Sequence, residues 1–423
     1  MTTTTAPQHS PDTTPATTEA SVIRATPRFP LDWLRGLAAL AVVFFHAYQR
    51  NRSGADSAWP WSGTAHQLMT GTDLFVDLFF VLSGLVLWAP IARSAATGEP
   101  SRPGRVLLYR RMARLLPLYL TVVLIVWALT NPSLPGHWQD LVLHLTFTHV
   151  YSDTYIFWTN GPAWSLAVEF HFYVLMALAA PLVAAGVRRV RTPGARLAVA
   201  AVLPALLVVT TAAYLSWATL ADVPQDNWSV WFSPLSRAAD FGIGMGLALL
   251  VAAGVRLGRV ARGTLAVVGI AATVALVLTR PLTTAGEWWH PAYALAIAVV
   301  LASIVLHDGP WPAALSWRPL AWIGGLGYGV YLIHEPVMRL LGHLGALPDP
   351  RPGAFFVITA ALVVVPTIAL AWVSSRTVEA AGLRLLKTQE RDGSPRDYYA
   401  HLQADDPASA VRTEERGRAE APR

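Results

Sequence analysis

Residues 354–374 read AFFVITAALVVVPTIALAWVS, a run without one charged side chain. A helix crossing about 30 Å of hydrocarbon needs roughly 20 mostly apolar residues, so this run is long enough to span a bilayer. Nine further stretches of the same kind precede it, at residues 31–49, 72–92, 112–130, 162–185, 198–219, 231–253, 262–279, 289–306 and 320–340. Several carry Pro or Gly (Pro117, Pro204, Pro234, Gly242, Gly244, Gly246), which bundled membrane helices tolerate because neighbours satisfy the freed backbone groups. Composition agrees: 54% of the 423 residues are hydrophobic and 14% are charged, against about 25% charged in an average soluble domain. Coiled-coil, disordered and collagen-like readings fail on the same figures. With no Cys there is no disulfide framework, thiolate nucleophile or zinc–thiolate site. The expected fold class is an all-α integral membrane protein, a bundle of about ten transmembrane helices.

The net charge of +6 resembles a nucleic-acid signal until the charges are placed. With the N-terminus in the cytoplasm, 25 of the 32 Lys and Arg residues fall on the inner side of the bundle. The outer side keeps Arg50, Arg52, Arg280, Arg339 and Arg351, while Arg35 and Arg237 lie inside spans. Inner loops of membrane proteins are enriched in basic residues, so both termini are expected in the cytoplasm and no nucleic-acid partner is needed. Residues 1–28 are rich in Thr, Pro and Ala without an apolar run, which reads as a disordered cytoplasmic tail rather than a signal peptide. Residues 388–423 read as a second such tail, leaving 29–387 as one membrane domain. The longest outer loop, 131–161, has His137, His144 and His149 but no Lys or Arg, and Trp138 to Tyr151 is expected as a short interfacial helix.

A charged side chain at mid-bilayer costs about 2.5–3.5 kcal/mol on insertion scales, so each one needs a reason. Arg35 and His46 lie eleven residues apart in the first span, which places them on one helix face roughly 16 Å apart. A snorkelling anchor and a helix-end histidine would explain that pair taken alone. Glu169, Arg237, Asp240 and His334 come from three other spans, yet counting from the span ends puts them with His46 in one outer layer. Independent snorkelling does not produce a common layer, whereas a polar cavity in the bundle does. On the inner side, Arg110, Arg111 and Arg114 read either as topology signals or as a phosphate clamp, since guanidinium groups bind phosphate oxygens bidentately. Ser83 and Gly84, in DLFFVLSGLVLW (Asp77–Trp88), remove bulk at mid-span for close helix packing or for a thin substrate.

These motifs together resemble the acyltransferase-3 family of multi-pass membrane O-acyltransferases. The resemblance rests on Arg35 and His46 with ten residues between them, VDLFFVLSG (Val76–Gly84), YRRMARLLPLY (Tyr109–Tyr119), WSLAVEFHFY (Trp164–Tyr173) and YGVYLIHEPV (Tyr328–Val337), in that order across 29–387. It implies transfer of an acyl group, commonly acetyl from acetyl-CoA, to a hydroxyl of a carbohydrate or glycosylated product. It also implies that Arg35 and His46 are essential, that the arginines at 110–114 help engage the donor, and that Glu169 matters for function. The chain departs from the family pattern at Phe75, Leu85, Asp240 and Gly327, positions that concern packing and pocket shape. Some relatives carry an extracytoplasmic esterase-like domain. This sequence shows none, so the expectation is transfer by the bundle itself or by a separate extracytoplasmic partner.

The mechanism expected from residues and resemblance together has acyl-CoA as donor substrate, with no metal and no permanently bound cofactor. The nucleotide phosphates dock on the arginines, with Arg35 at the inner mouth, and the pantetheine arm rises past Ser83 and Gly84 towards His46. His46 acts as general base on the acceptor hydroxyl, oriented by Glu169 in a shared chamber, and an acyl-histidine intermediate is the other route the sequence leaves open. Arg237 is a candidate oxyanion donor, and Asp240, His334, Tyr331 and Asp77 support the polar cavity. The location expected is the bacterial cytoplasmic membrane. A sugar or solute permease is the alternative, since spans with buried charges and broken helices suit one.

Overall fold

The computed structural model describes residues 31–101, 103–281, 288–307 and 317–384. The two terminal tails expected from the sequence therefore lie almost wholly outside the described residues. Fourteen α-helices follow in chain order: α1 Asp32–Arg50, α2 Gly63–Thr70, α3 Phe75–Thr97, α4 Gly104–Thr130, α5 Trp138–Leu145, α6 Ala163–Arg188 and α7 Pro193–Leu220. After them come α8 Trp228–Trp231, α9 Ala238–Ala252, α10 Arg259–Thr279, α11 Trp289–Val305, α12 Arg318–Gly325, α13 Gly327–His343 and α14 Phe355–Arg376. Among the described residues there is no strand, only an isolated bridge between Ser53 and Ala58.

Every apolar stretch picked out in the sequence holds a helix, and six helical segments are long and apolar enough to cross a membrane. α9 and α11 are shorter apolar helices. The outer surface explains the composition. Leu178, Leu182, Val209 and Val365 are 61–73% exposed, far more apolar side chain than a water-facing bundle leaves uncovered. α10 buries only Gly269 and Val277, so it lies at the edge, whereas α3 is buried along most of its length. The protein is a multi-pass membrane bundle with α3 at its centre.

Small residues set the closest packing around α3. A Cβ on Gly84 would lie 2.2 Å from the Phe241 carbonyl oxygen, and one on Gly244 would lie 2.1 Å from the Val81 oxygen. α3 and α9 therefore meet backbone to backbone, as small residues allow in membranes. Gly84 serves this crossing and is not free to make room for substrate.

Two expected spans are broken. The stretch 231–253 becomes helical only at Ala238, after a turn through Ser233 and Pro234, so Arg237 caps α9 rather than lying within a helix. The stretch 320–340 splits at Leu326 between α12 and α13, where Gly324, Gly325 and Gly327 cluster. The outer loop also differs from a plain surface connection. Its helix ends at Leu145, and the chain then folds into the bundle, with Val150, Ile156, Thr159 and Asn160 at most 1% exposed. Thr159 donates to the buried Asp140 carboxylate, and Tyr119 donates to the His144 carbonyl at 2.9 Å.

Candidate active site

Two cavities lie end to end inside the bundle. The first, near the start of α1, is lined by Arg35, by Phe79, Leu82 and Ser83 of α3, by Arg111 and Arg114 of α4, and by Ser165, Glu169 and Tyr173 of α6. Three guanidinium groups thus face one mostly apolar space. Arg35 bonds Asp32 at 3.0 Å, and Arg111 lies 5.8 Å from the centre of the Tyr173 ring. Ser83 Oγ donates to Glu169 Oε1 at 2.5 Å. Such a space suits a polyanion at the arginines with a slender apolar arm beyond them.

The second cavity, of about 380 Å3, is lined by His46, Asp77, His290 and Glu335 among the rings of Phe157, Trp164, Trp228 and Phe232. Val76 and Tyr331 line both cavities, so these two side chains stand between them. Tyr331 is held there by its hydroxyl, 2.7 Å from Ser165 Oγ and 3.2 Å from the Pro162 carbonyl oxygen.

His46 has a fixed tautomer in this setting. His334 is fully buried, with Nδ1 3.2 Å from the Val330 carbonyl oxygen and Nε2 3.0 Å from His46 Nδ1. A carbonyl can only accept, so His334 carries its proton on Nδ1 and accepts at Nε2. His46 must then donate from Nδ1, which also lies 3.0 Å from the Val42 carbonyl oxygen. The lone pair is left on His46 Nε2, the state a general base requires. A chain of two imidazoles anchored on a helix carbonyl therefore fixes the tautomer of His46.

Glu169 does not take part in that chain. His46 and Glu169 line two adjoining cavities, not one chamber. Ser165, Glu169 and Tyr173, four residues apart, share one face of α6, and that face is turned to the arginine cavity on the far side of Tyr331.

Other expected site residues divide in the same way. Arg111 and Arg114 line the first cavity, and Arg110 does not. Ser83 lines it as well, and Gly84 faces α9 instead. Arg237 and Asp240 are 1% and 0% exposed and line neither cavity. The Arg237 guanidinium lies 5.8 and 5.5 Å from the Trp164 and Phe232 rings, one layer behind the wall of the second cavity. Asp77 lines that cavity and takes His290 Nδ1 at 2.9 Å.

His290 and Glu335 were not singled out from the sequence. Glu335 follows His334 directly in YGVYLIHEPV, and its place one step along α13 was the available signal. His290 stands alone beside Trp288 and Trp289, and nothing in its spacing linked it to Asp77 on a distant helix.

A model of one protein family, described as an acyltransferase domain, matches residues 30–376. The chain belongs to the acyltransferase-3 family. It is an acyltransferase that transfers groups other than aminoacyl groups. The acyltransferase MdmB of Streptomyces mycarofaciens is 30% identical over 74% of this chain and 79% of its own length. The membrane-bound transacylase BcsY of Komagataeibacter xylinus, named as putative, is 28% identical over 75% and 74%. The peptidoglycan O-acetyltransferase OatA of Listeria monocytogenes is 25% identical over 82% of this chain but 54% of its own length. No solved structure matches. None of these relatives is named as a permease, and that alternative has no support.

Proposed function

We propose that this enzyme moves an acyl group, acetyl in the first instance, from acyl-CoA to a hydroxyl of a carbohydrate, cell-surface glycan or glycosylated product. The donor occupies the arginine cavity from the cytoplasmic side. Its phosphates meet Arg35, Arg111 and Arg114, and its pantetheine arm runs along Ser83 and Glu169 to the Val76–Tyr331 constriction. The acceptor occupies the second cavity from the outer side. His46 Nε2 takes the acceptor hydroxyl proton while the oxygen attacks the thioester carbonyl, and His334 and the Val42 carbonyl stabilise the imidazolium through Nδ1. Collapse of the tetrahedral intermediate releases CoA thiolate into the donor cavity. Glu169 fixes Ser83 along the donor path in this scheme, and the orienting role first assigned to it passes to His334.

The observation that supports this reading most is the pair of cavities meeting only at Val76 and Tyr331, with arginines in one and an oriented imidazole in the other. The topology that goes with it has ten crossings, a catalytic domain at 29–387 and cytoplasmic tails at 1–28 and 388–423. We assign the enzyme to a bacterial cytoplasmic membrane with most of its basic residues on the inner side. Transfer is completed by the bundle or by a separate extracytoplasmic partner. The test is transfer from labelled acetyl-CoA by purified protein in bilayers. His46→Ala should abolish transfer while the protein still folds and binds CoA. Near-normal transfer by that variant would remove the base from the mechanism.

A further inference from the structure

The second cavity opens into a third space of about 380 Å3, which shares His46 and Glu335 with it and adds Arg50, Arg52 and Arg339. Arginines are scarce at this end of the chain's spans, yet three of them converge beside the base. Arg339 is anchored by hydrogen bonds, whereas Arg50 and Arg52 are exposed and each meets one neighbour. Arg339 donates to Glu335 Oε1 from Nε at 2.9 Å and from Nη2 at 2.5 Å, and its remaining N–H groups reach the carbonyls of Phe157, Trp158 and Thr159. Arg52 lies 5.1 Å from the centre of the Trp59 ring, which itself stacks on Tyr48. Arg50 rests against Gly342, where a Cβ would come within 2.7 Å of Nη2.

The charges do not balance. Glu335 is the one acid lining this space, and Arg339 already occupies it. Arg50 and Arg52 have no ion pair with any described residue. Arg50 and Arg52 are exposed, so water screens their mutual repulsion, and a planar oxyanion shared between them adds charge-assisted hydrogen bonds to both. Topology signals alone do not require the groups to line one space.

The geometry points to an oxyanion subsite of the acceptor, formed by Arg50 and Arg52: the molecule acylated here carries a carboxylate or phosphate close to the hydroxyl presented to His46. This deepens the proposed function and rests on it, because the acceptor is taken to enter past His46. A phosphate of a lipid headgroup has the same chemistry, so the test must separate the two sources.

Labelling of His46 by diethyl pyrocarbonate, followed by peptide mass spectrometry, reads occupancy beside the base without needing turnover. In phosphatidylcholine nanodiscs, glucuronate or inorganic phosphate should slow His46 labelling in the wild type, and glucose at equal concentration should not. Arg50→Gln with Arg52→Gln should weaken that protection at least about tenfold, as expected for two charge-assisted contacts, with the melting temperature kept as a folding control. Equal protection by glucose, or unchanged protection in the double variant, overturns the proposal. Protection by phosphatidylglycerol nanodiscs alone, with no further effect of glucuronate, overturns it in favour of a headgroup site. Loss of acetyl transfer with anion protection intact would count against the proposed function and leave the subsite standing.

Discussion

Replacing His334 by Leu separates His46, the proposed base, from the imidazole hydrogen-bonded to it. The imidazole is fully buried and bonds only within the bundle, so an apolar side chain of similar bulk leaves no solvent-accessible void. The Val330 carbonyl loses one donor but remains inside helix α13. His46 Nδ1–H keeps the Val42 carbonyl at 3.0 Å, so the ground-state ring is still directed. The loss falls on the transition state. A neutral hydrogen bond contributes about 0.5–1.5 kcal/mol net and one to a charged group about 1.5–3 kcal/mol. The imidazole–imidazole contact thus gains about 1–1.5 kcal/mol when His46 takes up a proton, equivalent to roughly a 5–10-fold change in rate. His334→Leu should lower kcat for acetyl transfer by that factor and leave KM for both substrates within about twofold. His334→Gln, whose amide oxygen can accept from Nδ1–H, should recover part of it. The assay is steady-state transfer in bilayers, with thermal melting to show that both variants fold. Unchanged kcat in His334→Leu would refute the role of His334 in stabilising the His46 imidazolium. A loss as complete as that of His46→Ala would show His334 to be the base.

Arg111→Ala and Arg114→Ala should each raise KM for acetyl-CoA by roughly 10–100-fold, the range for one charge-assisted phosphate contact, with little change for acetyl-pantetheine, which lacks the nucleotide. An equal effect on both donors would move the phosphates elsewhere. Tyr331→Ala should join the two cavities and raise hydrolysis of acetyl-CoA when no acceptor is present, whereas Tyr331→Phe should keep them apart; release of free CoA reads the difference. In the outer loop, burial holds His149 well below the ordinary histidine value, and the adjacent His144 adds to the effect. The unfolded loop therefore binds a proton that the folded loop refuses. Its contribution to stability is complete above about pH 6.5 and falls as the pH drops below that value. Protection factors across residues 131–162, which remove the slower intrinsic exchange at low pH, should fall on acidification and lose that dependence in His149→Asn.

The apolar stretches were legible because each is a one-dimensional property of the chain, and the helices lie where those stretches do. The breaks at Arg237 and Leu326 were harder to read, because Gly and Pro inside a span permit a break without requiring one. The placement of Glu169 failed for another reason. The start of α6 was legible to within one residue, but which cavity its Ser165–Glu169–Tyr173 face meets depends on the helices packed around it. Gly84 and Ser83 are adjacent, yet one meets a backbone and the other a cavity, a distinction set by the position of α9. Arg35 with His46 was readable since both lie on one helix. The His46–His334 and Asp77–His290 pairs join distant helices, and only the packed structure brings their ring nitrogens within 3.0 and 2.9 Å of their partners.

The short barrier of Val76 and Tyr331 bears on the cell as well as on the reaction. An enzyme with water-filled access from both faces of an energised membrane risks becoming a leak for protons and ions. In the proposed scheme, closing the passage with one phenol ring and one isopropyl group lets an acyl unit be handed across while neither carrier crosses. The seal can then be tight for solutes and thin for chemistry, so a substitution that widens it would be felt first as a lost proton gradient and only later as altered product.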